Sequence, residues 1–274
     1  MIRKFYLENT KGVIFNFNYH SGILLSDVEG LGFEFNLAYL KYGHLHKTVS
    51  RDTPLLEISG VLNYLNGYES YDKFIDFINQ GSENLKLFYE TTDIKYVYVD
   101  IVVLTKTEIK DGILRSDIVF NKKSYWIKER QLTIDFNDSV SGKIYPFKYD
   151  YLYQATKEGK TTITVNGSFN ASTIIEINGS VINPELTAIQ NGKITSSLRL
   201  LLDAKDSKVV VSSVPNDRYL KMTKGSTETD IYEFQDFTKD NFIELAPGVN
   251  TLEFKSGVME QTQCKIHIFE YHLG

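Results

Sequence analysis

The sequence predicts a mainly β protein, with an α+β N-terminal domain carrying one short helix and a β-sandwich after it. Three observations predict this. Residues 174–203, IIEINGSVINPELTAIQNGKITSSLRLLLD, break short β-branched runs with Asn-Gly and Asn-Pro pairs, and a segment that turns so often cannot be helical. The composition favours strands, with 18 Tyr and 17 Phe against a single Trp, residue types that fit a pleated, half-buried surface. Helical spacing of apolar residues is convincing only once, over residues 70–80.

Taken in order, residues 1–17 read as one or two strands turned at Lys11-Gly12. Residues 21–36 alternate around Gly30 and Gly32, and residues 38–49 form the next extended stretch, followed by a strand over 56–62. The helix puts Tyr71, Phe74, Ile75 and Ile78 on one face, with Ser70 as N-cap and Gly81 as its stop. Residues 85–89 and 96–104 follow as strands, and the apolar end of the second, Val102-Val103-Leu104, reads as buried on both faces. Further strands fall at 116–120 and 125–136. The polar break Asn137–Gly142, with Tyr145-Pro146 after it, places a domain boundary around 137–150, giving domains of 1–140 and 148–274.

In the second domain, residues 148–153 and 161–165 lead into the central stretch. There Asn178-Gly179 and Asn191-Gly192 supply the positive φ that hairpin turns need, Asn183-Pro184 interrupts the ladder, and 198–202 closes on Asp203. Strands at 208–214, 218–221, 229–234 and 241–245 come next. Pro247-Gly248-Val249-Asn250 reads as a turn before strands at 251–254 and 265–271.

Composition narrows the function. The 274 residues suffice for two cores at 42% hydrophobic content. A net charge of −5, without a dense Lys/Arg patch, argues against sequence-specific nucleic-acid binding. Residues 1–12 hold no signal-peptide apolar region, and no apolar run approaches a membrane span. Cys264, the only cysteine, excludes an intrachain disulfide and a thiolate cluster. It sits in an alternating run that reads it as a small packed hydrophobe rather than a nucleophile.

The candidate sites are thin. His44 and His46, in Gly-His-Leu-His, would share one strand face, yet no third ligand stands at a telling distance, so no metal and no cofactor are expected. Asp100, Asp135 and Asp203 give no spacing that implies a facing acid pair. The chain has no nucleophile elbow, phosphate-binding glycine loop or His-Glu-Xaa-Xaa-His, so no catalytic residue is assigned. Asn166, Asn170 and Asn178 match the glycosylation sequon, but turn chemistry is the better reading. Trp126 reads as core or as a subunit contact, with stacking on a sugar as the rival.

Several of these segments together resemble one family. Ile58–Leu62 (ISGVL), residues 71–78 (YDKFIDFI), 85–89 (LKLFY) and 99–109 (VDIVVLTKTEI), then 114–120 with Tyr125-Trp126, look like the N-terminal half of phage distal tail proteins. Residues 178–186 (NGSVINPEL) and 242–254 (FIELAPGVNTLEF) look like that family's C-terminal domain. The resemblance implies a galectin-like C-terminal sandwich and an N-terminal domain with a projecting belt hairpin, whose position it does not give. It implies a homo-hexameric ring at the tail tip, joining the tail tube protein to a tail-associated lysin or fibre or a receptor-binding protein. It further implies a virion protein assembled in the bacterial host cytoplasm, with no enzymatic activity and no membrane partner. A carbohydrate-binding module recognising host cell-wall glycan is the alternative, and a glycan-degrading tail enzyme ranks below both.

Overall fold

The computed structural model describes residues 3–134, 158–258 and 262–274. The chain divides into two compact units, Met1–Lys128 with His272–Gly274, and Glu129–Tyr271. The boundary expected at 137–150, the strand expected at 148–153, and Asp135 lie outside the described residues. Most of the described chain is strand, its neighbouring strands run antiparallel in the pairings named below, and the described residues hold one α-helix.

The first unit runs β1 (Lys4–Glu8), β2 (Ile14–Asn16), β3 (Ile23–Glu29), β4 (Asn36–Tyr42), β5 (Leu45–Asp52), β6 (Ile58–Tyr64), α1 (Tyr68–Asn79), β7 (Leu85–Glu90), β8 (Ile94–Leu104) and β9 (Leu114–Lys122). Next comes β10 (Trp126–Ile134), which continues into the second unit. In the sheet, β2, β1, β7 and β8 lie side by side, and β8 leads through β9 and β6 to β3. Period-two alternation aims one side of these strands inward: β6 reads buried at every second residue from Ile58 to Tyr64. Leu7, Leu62, Leu87, Val99, Ile118 and Phe120 build the core, and α1 covers it with Phe74 and Phe77.

The helix departs from expectation at its start. It begins at Tyr68, and Ser70 is buried inside it instead of capping it. Gly67 takes the left-handed conformation (φ 57°), which lets the chain reverse after Tyr64 and enter the helix two residues early. The end of β8 also differs: Val102 and Val103 are exposed. The pairing with β9 shifts register between Ile101 and Val103, and β7 starts at Leu85 opposite Val99, so it does not reach alongside the last residues of β8. Gly30 (φ 78°) is required by contact as well as conformation, because a Cβ there would lie 1.8 Å from the Glu57 carbonyl oxygen.

The second unit contains β11 (Glu158–Val165), β12 (Ala171–Ile182), β13 (Glu185–Gln190), β14 (Lys193–Arg199), β15 (Asp203–Ser212), β16 (Tyr219–Lys224), β17 (Thr227–Asp230), β18 (Glu244–Leu245), β19 (Gly248–Lys255) and β20 (Gln263–His272). One sheet is ordered β17-β16-β15-β12-β20, with β18 also on β12; the other is β11-β19-β13-β14. Both feed one core. Ile175, Ile177, Val211 and Ile266 come from the first sheet, and Leu186, Ala188, Leu252 and Phe254 from the second. Two sheets closing on a shared apolar layer are a β-sandwich.

The turns at Asn183 (φ 47°) and Asn191-Gly192 form as expected. Asn178-Gly179 does not turn: β12 runs straight through it, flanked by β15 and β20. Gly179 (φ 123°) is absorbed as a bulge in the pairing with β15. Ladders on both edges outweigh a local turn preference. The apolar run 198–202 is strand only at its start; β14 ends at Arg199, and Asp203 opens β15. Residues 229–234 split into the end of β17 and a 3-10 turn at Tyr232–Phe234. Gly248 begins β19, and the Asn250 amide ties the segment by donating to the Ala246 and Gly248 carbonyls.

Phe254 is fully buried between the two sheets. Phe254→Ala is expected to cost about 3–5 kcal/mol, read as a lowered urea midpoint for the second unit with the native fold retained by circular dichroism.

Candidate assembly interface

One element of the first unit has no core to pack on. β4 and β5 form a separate two-stranded sheet, and every residue of both strands is exposed. The turn follows from sequence: Tyr42 pairs with Leu45 across Gly43-His44, and Gly43 has φ 58°. A positive φ at the first central residue suits the twist of a tight hairpin. The pairing slips between Ala38 and Tyr39, leaving Val49 as the extra residue of a bulge.

Residues that face each other across a ladder share a side of the ribbon. Leu37, Tyr39 and Thr48 lie on one side; Leu40, Tyr42 and Leu45 lie on the other. Both sides are therefore apolar, and Leu45 at the tip is 76% exposed. The ribbon is also basic, with Lys41, Lys47 and Arg51 against Asp52. Its base is fastened by Phe33 against Phe35, ring centroids 4.8 Å apart, and by the Arg51 guanidinium 3.4 Å above the Phe35 ring. An isolated two-stranded hairpin is marginal in water. Large apolar groups held outward on both of its sides mark an interaction element rather than a folding element.

The residues singled out from sequence do not converge. His44 sits in the turn while His46 sits in β5, so the expected shared strand face is absent; the reversal at Gly43 takes His44 out of the ladder. Among the described residues no three His, Cys, Asp or Glu side chains come together as a metal site. Trp126 is buried in the first core, donating from Nε1 to the Leu31 carbonyl at 3.1 Å, which removes it as a sugar-stacking platform. Burial pushes the Cys264 thiol up to about 12, and it packs in the sandwich core. Asp100 is paired with Lys123 at 3.3 Å, and Asp203 is an exposed strand residue. Sequence reasoning read residues 38–49 as one extended stretch carrying His44 and His46. The hairpin's signal was the Gly-His pair between two runs that keep apolar residues on both parities.

A β-sheet unit with an outward ribbon and a β-sandwich unit define the class of fold. Residues 4–123 match the family model for the distal tail protein, N-terminal domain. The chain thus carries the N-terminal domain of the distal tail proteins, on a fold shared with phage baseplate proteins. In the structure of the phage P2 baseplate in its activated conformation with Ca, a chain 17% identical superposes with a TM-score of 0.67, covering 97% of this chain and 98% of that one. The SPP1 Dit protein superposes with a TM-score of 0.64 at 12% identity, over 97% of this chain and 98% of its own. No curated protein matches the sequence. No helix among the described residues is long and apolar enough to cross a membrane.

Two outcomes test this description of the site. Replacing Leu40 and Leu45 together by Asp is expected to shift the unfolding midpoint of the isolated protein by no more than about 0.5 kcal/mol, because neither side chain is buried. Cys264 is expected to resist a thiol reagent at mildly alkaline pH in the native protein and to react fully in urea, since its raised pKa keeps it a neutral, enclosed thiol.

Proposed function

We propose that this chain is a distal tail protein of a phage, a hub subunit that forms a homo-hexameric ring at the tail tip. The carrying observation is the β4–β5 ribbon, apolar on both sides and unsupported by its own core. A ribbon of this kind that packs on the neighbouring subunit makes a heterologous contact, and such contacts close into rings when the rotation permits. In this reading the ribbon is the belt hairpin. The match of residues 4–123 to the distal tail N-terminal domain supports it, as does the likeness to a protein described as a hub adsorption apparatus in Gram-positive-infecting phages.

The first domain, residues 1–140, then builds the ring, and the second, residues 148–274, is a galectin-like sandwich that decorates it. The ring joins the tail tube protein to a tail-associated lysin, a fibre or a receptor-binding protein. The protein assembles in the host cytoplasm and ends in the virion, and it acts through geometry rather than catalysis. A net charge of −5 suits a channel that lets DNA pass without holding it.

Negative-stain images and light scattering of the purified protein, alone and with its tail tube partner, are expected to show six-membered rings. Tyr42→Asp with Leu45→Asp is expected to leave monomers. Rings that survive the double change, or a strict monomer even with the tube protein present, would refute the reading.

A further inference from the structure

The main sheet of the first unit is left open along one stretch. β8 runs on to Leu104, but β7, its neighbour on one side, starts at Leu85 opposite Val99. From Ile101 to Leu104 the pairing continues only with β9. On the other side no strand among the described residues takes up the ladder, and such an edge offers backbone N–H and carbonyl groups to another strand. An open groove of about 640 Å³ lies along it, walled by Ile75 and Ile78 of α1, by Glu83 after the helix, and by Val102 and Val103. The two valines are exposed, although β-branched side chains belong against a covered sheet.

The ribbon supplies what this groove lacks. β4 and β5 pair only with each other, so each keeps one free edge. Leu40, Tyr42 and Leu45 are exposed on the ribbon as Val102 and Val103 are in the groove. The charges are complementary. The ribbon sets Lys41, Lys47 and Arg51 against Asp52. On the groove side, Glu83 lines the wall, and Asp72 and Asp76 are exposed on α1, where Lys73 is engaged by Glu69 at 2.6 Å. Asp100, also in the lining, is balanced by Lys123 at 3.3 Å. Lengths agree too: four residues of open edge span about 13 Å, and β4 and β5 have seven and eight residues. In its own chain the ribbon is exposed along both strands, so a ribbon that fills the groove comes from another copy.

We infer that the open edge of β8, with the groove beside it, is the socket for the β4–β5 ribbon of a second copy of this chain. The inference rests on the reading of the ribbon as the contact between subunits, and it adds the surface that receives it. One ribbon strand continues the ladder where β7 stops, which is strand addition to a sheet edge. The ribbon's apolar side chains cover Val102, Val103, Ile75 and Ile78. Lys41 and Lys47, near its tip, meet the acidic side formed by Asp72 and Glu83. Ribbon and socket are different surfaces of one chain, so every copy both gives and receives, and the contact runs head to tail.

Val102→Asp with Val103→Asp is expected to leave the circular dichroism of the full chain unchanged, since both side chains are exposed. The same pair is expected to raise the concentration at which rings form, followed by light scattering and negative stain, about a hundredfold or more, the scale of trapping an unpaired charge in an interface. A charge swap reads the contact itself. Asp72→Lys with Glu83→Lys, and separately Lys41→Glu with Lys47→Glu, are each expected to weaken assembly, and all four changes in one chain are expected to restore it. Rings that form equally well with the two valine changes overturn the inference and leave the hub assignment standing. So does a four-fold variant that assembles no better than either pair. Valine variants that still form rings but no longer capture the tail tube protein would give the groove to that partner and overturn the inference as well. Wild-type protein that stays monomeric with the tube protein present overturns the hub assignment, and the socket falls with it.

Discussion

A ribbon of two strands has no interior. Each residue of β4 and β5 faces water on one side or the other, so any apolar side chain there stays exposed until a second surface arrives. The turn at Gly43 and the Phe33–Phe35–Arg51 cluster at the base hold its two ends in place. The main sheet of the same unit already packs its apolar face against α1, so the ribbon's apolar groups find no home there. The energetic gain from burying them is then available only to association. That constraint ties a local feature of the chain to association.

The sandwich solves a different problem. Its two sheets already supply each other's buried faces, so Ile177, Val211, Leu252 and Phe254 need no outside partner. What it leaves exposed is a polar groove at Arg218 and Glu244. Close packing of backbone sets the limits: a Cβ at Gly257 would lie 1.7 Å from the Ile182 carbonyl oxygen. The loop after β19 can therefore pass β12 only because that position has no side chain.

Much of this was legible in residue order. The excess of strand formers, the turns at Lys11-Gly12, Asn183-Pro184 and Asn191-Gly192, and an apolar helix face all came from local chemistry, and the structure keeps them, with Phe77 in the core where Ile75 was expected. Asn178-Gly179 misled because turn propensity is a local quantity, while the ladders of β15 and β20 hold β12 extended on both edges. Ser70 misled because Gly67 reverses the chain earlier. Val102 and Val103 misled because apolar character in a strand does not tell how far its neighbour extends.

By itself, then, the sequence determined the β class, the helix near residues 70–80, the packing of Cys264 as a small hydrophobe and the absence of any recognised catalytic motif. Periodicity and turn preference act over a few residues, and those are the distances a linear reading spans. Tertiary structure alone decided that β4 and β5 stand apart from the main sheet, that Trp126 faces inward to Leu31, and that Asn170, Arg218, Asp240 and Glu244 meet around one groove. Asn170, Arg218 and the segment holding Asp240 and Glu244 are well separated along the chain, and only the fold brings them to one groove, where Arg218 meets Glu244 at 2.9 Å.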